Sequence, residues 1–278
     1  MPKASPTARV RRSWRTPDAL WAQLEPLLPP RKPHPLGCHN PRVDDRRAID
    51  AILFRLRTGC QWNALSTTGL CSSSSAHRRF QEWRAAGVFY ELWRRGLMQY
   101  DVVKGIDWTW LAADGAMTKA PLGGKATGRN PTDRGKQGTK RSVLAEGSGV
   151  PVGLAVDGAH RHDVMLLAAT LASVPIPRPR PTRRHPQGLC LDNAYDIAWV
   201  YGLLVEAGFT PHVRARRAEM VQRARGKRAR RWVVERTHSW MNRFRGLLTR
   251  WEKRTANYVG SLHLACAYIA FARAGLLG

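Results

Sequence analysis

IDWTWLAADG, residues 106–115, is a short apolar and aromatic run that closes on an acid, Asp114. A run this brief, bounded by glycine, reads as a buried strand ending at Asp114. GLCLDNAYD, residues 188–196, repeats the pattern and ends its apolar part at Asp192. Between the two, RSVLAEGSG and VPVGLAVDG predict a hairpin turning at Gly147, Ser148 and Gly149. DVMLLAATLASV then predicts an amphipathic helix capped by Asp163, and PRPRPTRRHP an irregular loop. Beyond Asp192 follow a helix through IAWVYGLLVEAG, a short strand FTPHV, a basic segment, a helix carrying RWVVERTHSW and a last helix over roughly residues 257–275. Strands first, then helices alternating with further strands, describe an α/β sheet with an antiparallel hairpin on one side.

Upstream the periodicity is helical. Residues 1–16 form a basic arm, and residues 17–105 predict a small all-helical domain. Asp18 is positioned to cap a helix through ALWAQLEPLL, which Pro29 and Pro30 stop. DDRRAIDAILFRLRTG spaces Ile49, Ile52, Leu53 and Leu56 at helical intervals up to Gly59. Serines 72–75 read as a loop, followed by a helix through SAHRRFQEWRAAG and another through VFYELWRRGLMQY. Arg78, Arg79 and Arg84 beside Trp83 fit either a helix-turn-helix lying against DNA or a bundle with a solvated basic face.

Charge narrows the partner. The 278 residues carry 46 Lys+Arg against 20 Asp+Glu, a net of +26, with 43% hydrophobic residues. That is a globular chain suited to a polyanion, nucleic acid first and a membrane surface second. Arg, Asp or His interrupts every apolar run short of the roughly 20 residues a span needs, so no membrane segment is expected. Five cysteines without a CxxC pair argue against a zinc cage or disulfide framework and point to a reducing cytoplasmic setting.

Asp114, Asp192 and the isolated Glu235 are the candidate chemistry. Carboxylates at strand ends reach one edge of a sheet, where ligands bind. Crowded carboxylates repel by roughly 4 kcal/mol per pair at about 4 Å in an effective dielectric of 20, and a divalent cation removes that cost. Strand-ending aspartates are equally ordinary as turn or cap residues. Helical spacing sets Val233, Trp240, Phe244, Leu247 and Trp251 on one face and Arg231, Glu235, Ser239 and Asn242 opposite. Glu235 is then either a surface partner of Arg231 or a group aimed at a metal.

ADGAMTKAPLGGKATGRNPTDRGKQGTKRSVL, GVPVGLAVDGAHRHDV, GLCLDNAYD and RGKRARRWVVERTHSWMNRFRGLLTRWEKR together resemble the insertion-sequence DDE transposases of the IS-five family. LWAQLEPLLPP, DDRRAIDAILFRLRTGCQW and HRRFQEWRAAGVF resemble the amino-terminal helical domain of that family. The resemblance implies an RNase H-like mixed sheet flanked by helices over residues 106–278. It implies three metal-binding carboxylates, Asp114, Asp192 and Glu235, holding two Mg ions, with Mn as substitute. Asp157, Asp163 and Asp196 compete with them and read as structural, Asp196 as the cap of the next helix. Arg231 matches an arginine that the broader group carries four residues before the glutamate. Arg228 stands where a tyrosine is common, and Asn242 and Arg243 where a basic residue is. Asn193 and Ala194 replace a common Lys-Gly pair.

The resemblance further implies double-stranded DNA as partner: terminal inverted repeats, then target DNA, with a homodimer on DNA and no nucleotide cofactor. The expected reaction is metal-dependent cleavage at 3′ ends and strand transfer, in the cytoplasm at the nucleoid. A catalytically inactive DNA-binding descendant and a structure-specific nuclease are the alternatives. Residues 214–254 hold 15 Lys+Arg and 3 acids, a local net of +12 (15 minus 3), and form the expected phosphate-binding stripe, with Arg228, Arg231, Arg236 and Arg243 as contacts. The loop at residues 128–141 adds Lys136, Lys140 and Arg141, and the helical domain adds Arg78 and Arg79. Trp232, Trp240 and Trp251 read as core, and His160 and His162 as loop residues and not a metal pair.

Overall fold

The computed structural model describes residues 14–30, 42–213 and 232–277. Most of the basic arm, and residues 214–231 with Arg228 and Arg231, lie outside the described residues. Helix α1 (Asp18–Leu24) runs into one 3-10 turn before Pro29. Pro17, which has no side-chain group to offer, stands at its cap position, so Asp18 is the first helical residue and pairs with Arg46 at 2.7 Å. Helix α2 (Asp45–Thr58) is capped by Asp44, whose carboxylate accepts from the Arg47 amide at 3.1 Å, and is closed by Gly59 at φ +72°. The serines expected as loop start helix α3 (Ser73–Ala85), because Ser72 accepts from the Ser75 amide and acts as its cap. Helix α4 (Val88–Lys104) follows directly from Gly87.

The sheet contains β1 (Trp110–Lys119), the short β2 (Gly128–Arg129), β3 (Gln137–Glu146), β4 (Pro151–Gly158), β5 (Gly188–Leu191) and β6 (Thr210–Val213). β3 is antiparallel to both β1 and β4, and β1, β5 and β6 are mutually parallel. The order is therefore β4, β3, β1, β5, β6, with β2 paired to the start of β3. Three antiparallel strands continued by two parallel ones make this the RNase H-like sheet, as expected.

Two boundaries differ from expectation. β1 does not end at Asp114: it stays paired with β3 as far as Lys119, opposite Gly138. The apolar run marked the buried half of the strand, and the polar half is held by backbone pairing that hydropathy does not report. Conversely, half of the basic loop at 128–141 is strand, and Lys140 and Arg141 are only 5% and 2% exposed.

Helix α5 (Val164–Ala172) covers β4 and β3, helix α6 (Ala198–Glu206) covers β6, and helix α7 (Trp232–Asn242) crosses β3 and β1. α7 buries Val233, Val234, Thr237, His238 and Met241. The predicted face fails beyond Asn242 because the helix stops there. Phe244 and Leu247 are buried from the following turn, while Trp251 and Trp232 are about half exposed and not core. Helix α8 (Thr255–Arg273) packs on α4, where Gly96 leaves room for Phe271 and Ala270. One buried cluster runs from Leu20 through Trp93, Leu111 and Leu189 to Phe271, so the amino-terminal helices and the sheet share a core.

Two buried cations tie the carboxyl-terminal segment to the rest. Arg55 of α2 meets Glu252 at 2.7 Å, both nearly fully buried. Arg250, 1% exposed, donates to the carbonyls of Lys125, Ala126, Glu252 and Lys253. Arg250 belongs to the basic stripe by sequence but is structural by position. Removing one partner of the Arg55–Glu252 pair leaves a buried uncompensated charge. Arg55→Met is expected to cost about 3–5 kcal/mol, and Arg55→Met with Glu252→Leu appreciably less, in urea unfolding.

Burial pushes His263, stacked on Trp93 at 5.4 Å, down to about 4 from its ordinary 6.5. The neutral ring is favoured by the fold, so its contribution is complete above pH 6.5 and is lost as pH falls toward 4. Melting temperatures across that interval are expected to fall less steeply in His263→Phe than in the wild type.

Candidate active site

The site begins with a register. Trp110, Leu111 and Ala112 of β1 pair in parallel with Gly188, Leu189 and Cys190 of β5. Asp114 lies two residues beyond Ala112 on β1 and Asp192 two beyond Cys190, just past the end of β5, so both follow the paired stretch at the same offset. Both are half-buried. Each orients its carboxylate with the next amide: Gly115 donates to Asp114 at 2.8 Å, and Asn193 to Asp192 at 2.6 Å.

Asp192 also starts a single 3-10 turn, Asn193–Tyr195, which buries Tyr195 to 1% exposure. The Tyr195 hydroxyl has no hydrogen-bond partner among the described residues. Burial first, and then the charges of Asp163, Asp114 and Asp192, push its phenol well above the ordinary range. Asp163, Asp114 and Asp192 thus all lie within electrostatic reach of Tyr195.

Asp163 does not cap α5. Its backbone is already helical and its side chain makes no cap bond. The carboxylate instead crosses to β1 above Gly115, where a Cβ would stand 1.9 Å from its Oδ1. Its Oδ2 lies 3.0 Å from the buried Lys140 Nζ, which also donates to the Arg161 carbonyl. Nothing in the one-dimensional pattern distinguishes this aspartate from an ordinary cap. The other competitors turn away. Asp157 pairs with Arg161 at 3.1 Å, and Asp196 accepts from the Tyr201 hydroxyl at 2.9 Å. Ile197 occupies the cap position of α6, so Asp196 is not its cap.

Glu235 is exposed on α7, one turn before His238. The His238 ring faces the backbone of Asp114 and is pushed down to about 4, by burial first and then by the charge of Arg141. Among the described residues, no three His, Cys, Asp or Glu side chains stand close enough to share a metal ion.

The expected DNA contacts divide. Lys136, Arg78 and Arg243 are exposed. Arg243 lines a cleft with Trp14, Arg57, Thr58 and Arg245. Four others depart from expectation because their charge is used internally. Lys140 holds Asp163, and Arg141 donates to Asn242 at 2.5 Å. Arg236 lies over the rings of Trp232 and Trp240 and donates to the Ser148 carbonyl. Arg79, mostly buried, pairs with Glu82 at 2.5 Å.

The strand order and directions are those of an RNase H-like sheet, with Asp114 and Asp192 at or just beyond its central parallel strands. A family model for transposases of the IS4/5 family matches residues 17–93, and the transposase DDE domain matches residues 106–270. The chain belongs to the DDE transposases of the IS4/5 family. A transposase for insertion sequence element IS402 of Burkholderia cepacia is 34% identical over 148 residues, 52% of this chain and 68% of that one. A 16.2 kDa protein of the same element is 36% identical over 118 residues, 41% of this chain and 79% of that one. The catalytic domain of Mos1 mariner transposase overlaps 66% of this chain and 94% of its own, at 14% identity and a TM-score of 0.29. A pre-cleavage Mos1 transpososome gives 0.30 at 14% identity, over 88% of this chain and 82% of that one. Overlaps this loose locate no residue.

Membership of the family implies divalent-metal use. Asp114 and Asp192 fit such an ion in chemistry: two half-buried carboxylates following neighbouring strands offer the oxygen ligands a hard cation takes. The buried Asp163 Oδ1, without a hydrogen-bond partner among the described residues, adds an acceptor beside them. No helix among the described residues is long and apolar enough to cross a membrane.

Gly115→Ala would drive a methyl group into the Asp163 carboxylate. A loss of roughly 1–3 kcal/mol in thermal or urea unfolding is expected. Unchanged stability would show that Asp163 moves aside freely.

Proposed function

We propose that this transposase binds the terminal inverted repeats of its insertion sequence, cuts the 3′ strand ends, and transfers each 3′ hydroxyl to target DNA. The observation that supports the reading is that Asp114 and Asp192 each follow, by two residues, the last residues paired between β1 and β5. Asp114, Asp192 and Glu235 would hold the metal, two Mg ions with Mn as substitute. When bound, the metal supplies activation of the attacking oxygen and neutralises charge on the leaving one.

The protein's own part is positioning. Backbone amides of Gly115 and Asn193 orient the two carboxylates before any ligand arrives. His238, kept neutral beneath Asp114, packs α7 against β1 without adding a cation at the site. Glu235, on the exposed flank of that helix, is the third carboxylate proposed to complete the site. Arg243 and Arg245 at the cleft, with Lys136 and Arg78, are surface cations for phosphates. Residues 17–105 serve as the DNA-binding part, and two ends held together call for a homodimer on DNA.

The experiment is magnesium-dependent cleavage of linear DNA carrying the element's own ends, with wild type beside Asp114→Asn and Glu235→Gln. Wild type is expected to cut at the ends, and each variant to bind DNA but cut at least about a hundredfold more slowly. A variant that cuts normally removes its residue from the site. Cutting that ignores the end sequence points to a structure-specific nuclease, and tight binding by a wild type that never cuts points to an inactive descendant. Affinity for end DNA should fall steeply with salt in anisotropy titrations, and a flat response would remove the electrostatic account.

A further inference from the structure

Asp163 lies outside the three carboxylates of the proposed site, yet the fold makes specific room for it. β1 carries a glycine immediately after Asp114, and a larger residue there would have to displace the carboxylate, because a Cβ on Gly115 would stand 1.9 Å from Asp163 Oδ1. The other oxygen, Oδ2, is anchored 3.0 Å from Lys140 Nζ, itself 5% exposed. Oδ1 is buried without a hydrogen-bond partner among the described residues. A carboxylate oxygen left so costs on the order of 1–3 kcal/mol unless something else donates to it.

A second, independent group points into the same space. The Tyr195 hydroxyl is also buried and without a partner among the described residues, on a side chain 1% exposed, and it feels the charges of Asp163, Asp114 and Asp192 together. A phenol among three carboxylates can donate its proton outward to a bound oxygen. Two unsatisfied buried oxygens, one acceptor and one donor or acceptor, thus lie close to Asp114 and Asp192. An unpartnered acceptor in this position suits the hydration shell of a cation held nearby. Magnesium usually keeps several of its waters, and each needs an acceptor.

We infer that Asp163, anchored by Lys140 and backed by Tyr195, is a fourth acidic residue of the divalent-cation centre. It is a positioning residue that accepts hydrogen bonds from the water ligands of a cation held by Asp114 and Asp192. The inference rests on the metal site proposed above. Its energetic logic is that of outer-shell partners in general, whose loss typically lowers metal affinity about 10–100-fold.

The test is Mn²⁺ binding to the full chain without DNA, read from the electron paramagnetic resonance of the free ion, with melting curves alongside. The proteins are wild type, Asp114→Asn, Asp163→Asn, and the double variant Lys140→Met with Asp163→Asn. The double variant removes both members of the buried pair, so a folding failure caused by a stranded Lys140 charge does not decide the outcome. Asp163→Asn and the double variant are expected to bind Mn²⁺ about tenfold more weakly than wild type, with the double variant melting like wild type. Wild-type affinity in the folded double variant, while Asp114→Asn loses affinity, would overturn the role of Asp163 and leave the metal site standing. Equal affinity in all four proteins, or none in wild type, would overturn the metal site itself and this inference with it.

Discussion

The chemistry of this protein hangs on β1 having an antiparallel neighbour on one edge and a parallel neighbour on the other. β3 holds β1 along its length, and β5 pairs with β1 up to Ala112 and Cys190, two residues short of Asp114 and Asp192. Side chains alternate between sheet faces, so a slip of one residue in the β1 and β5 pairing would send one aspartate to the opposite face. Leu111, Ala112, Ala113, Leu189 and Leu191 are all buried, so both faces of the sheet are covered where β1 meets β5. Asp114 and Asp192 follow these buried stretches on neighbouring strands, and carboxylates gathered there would suit a divalent cation.

The excess of arginine and lysine has two destinations. Part of it is exposed, as at Lys136, Arg243 and Arg245, and suits a polyanion. Part is internal structure. Arg250 joins two loops through carbonyl oxygens, Arg55 closes on Glu252, Arg141 holds Asn242 of α7 to β3, and Lys140 holds Asp163. A guanidinium has five donors in a fixed plane, so one arginine can satisfy several buried carbonyls at once. Net charge alone therefore overstates the surface offered to DNA.

The amino-terminal helices are bound into this arrangement and do not merely precede it. α4 lies against α8 with Gly96 at the contact, and the Trp93 indole donates to the Pro151 carbonyl at the start of β4 at 3.0 Å. A force on the helices is consequently transmitted to the strand beside β3 through packed side chains. This supplies a physical link between residues 17–105 and the sheet that carries the aspartates.

Sequence by itself determined the class of fold, the buried strands leading to Asp114 and Asp192, the β3 and β4 hairpin, the Gly59 helix end and the final helix. Apolar periodicity, glycine geometry and burial are local properties, and the motifs carrying the family likeness are linear. Tertiary structure alone decided where charges are spent. Lys140, Arg141, Arg236 and Arg250 look like surface cations in a string of letters, and their partners lie far away in the chain. It also decided that Asp163 leaves its helix end for Gly115, that β1 continues to Lys119 on backbone pairing, and that α7 stops at Asn242. Each depends on a neighbour supplied by folding, and no spacing along the chain encodes that neighbour's distance.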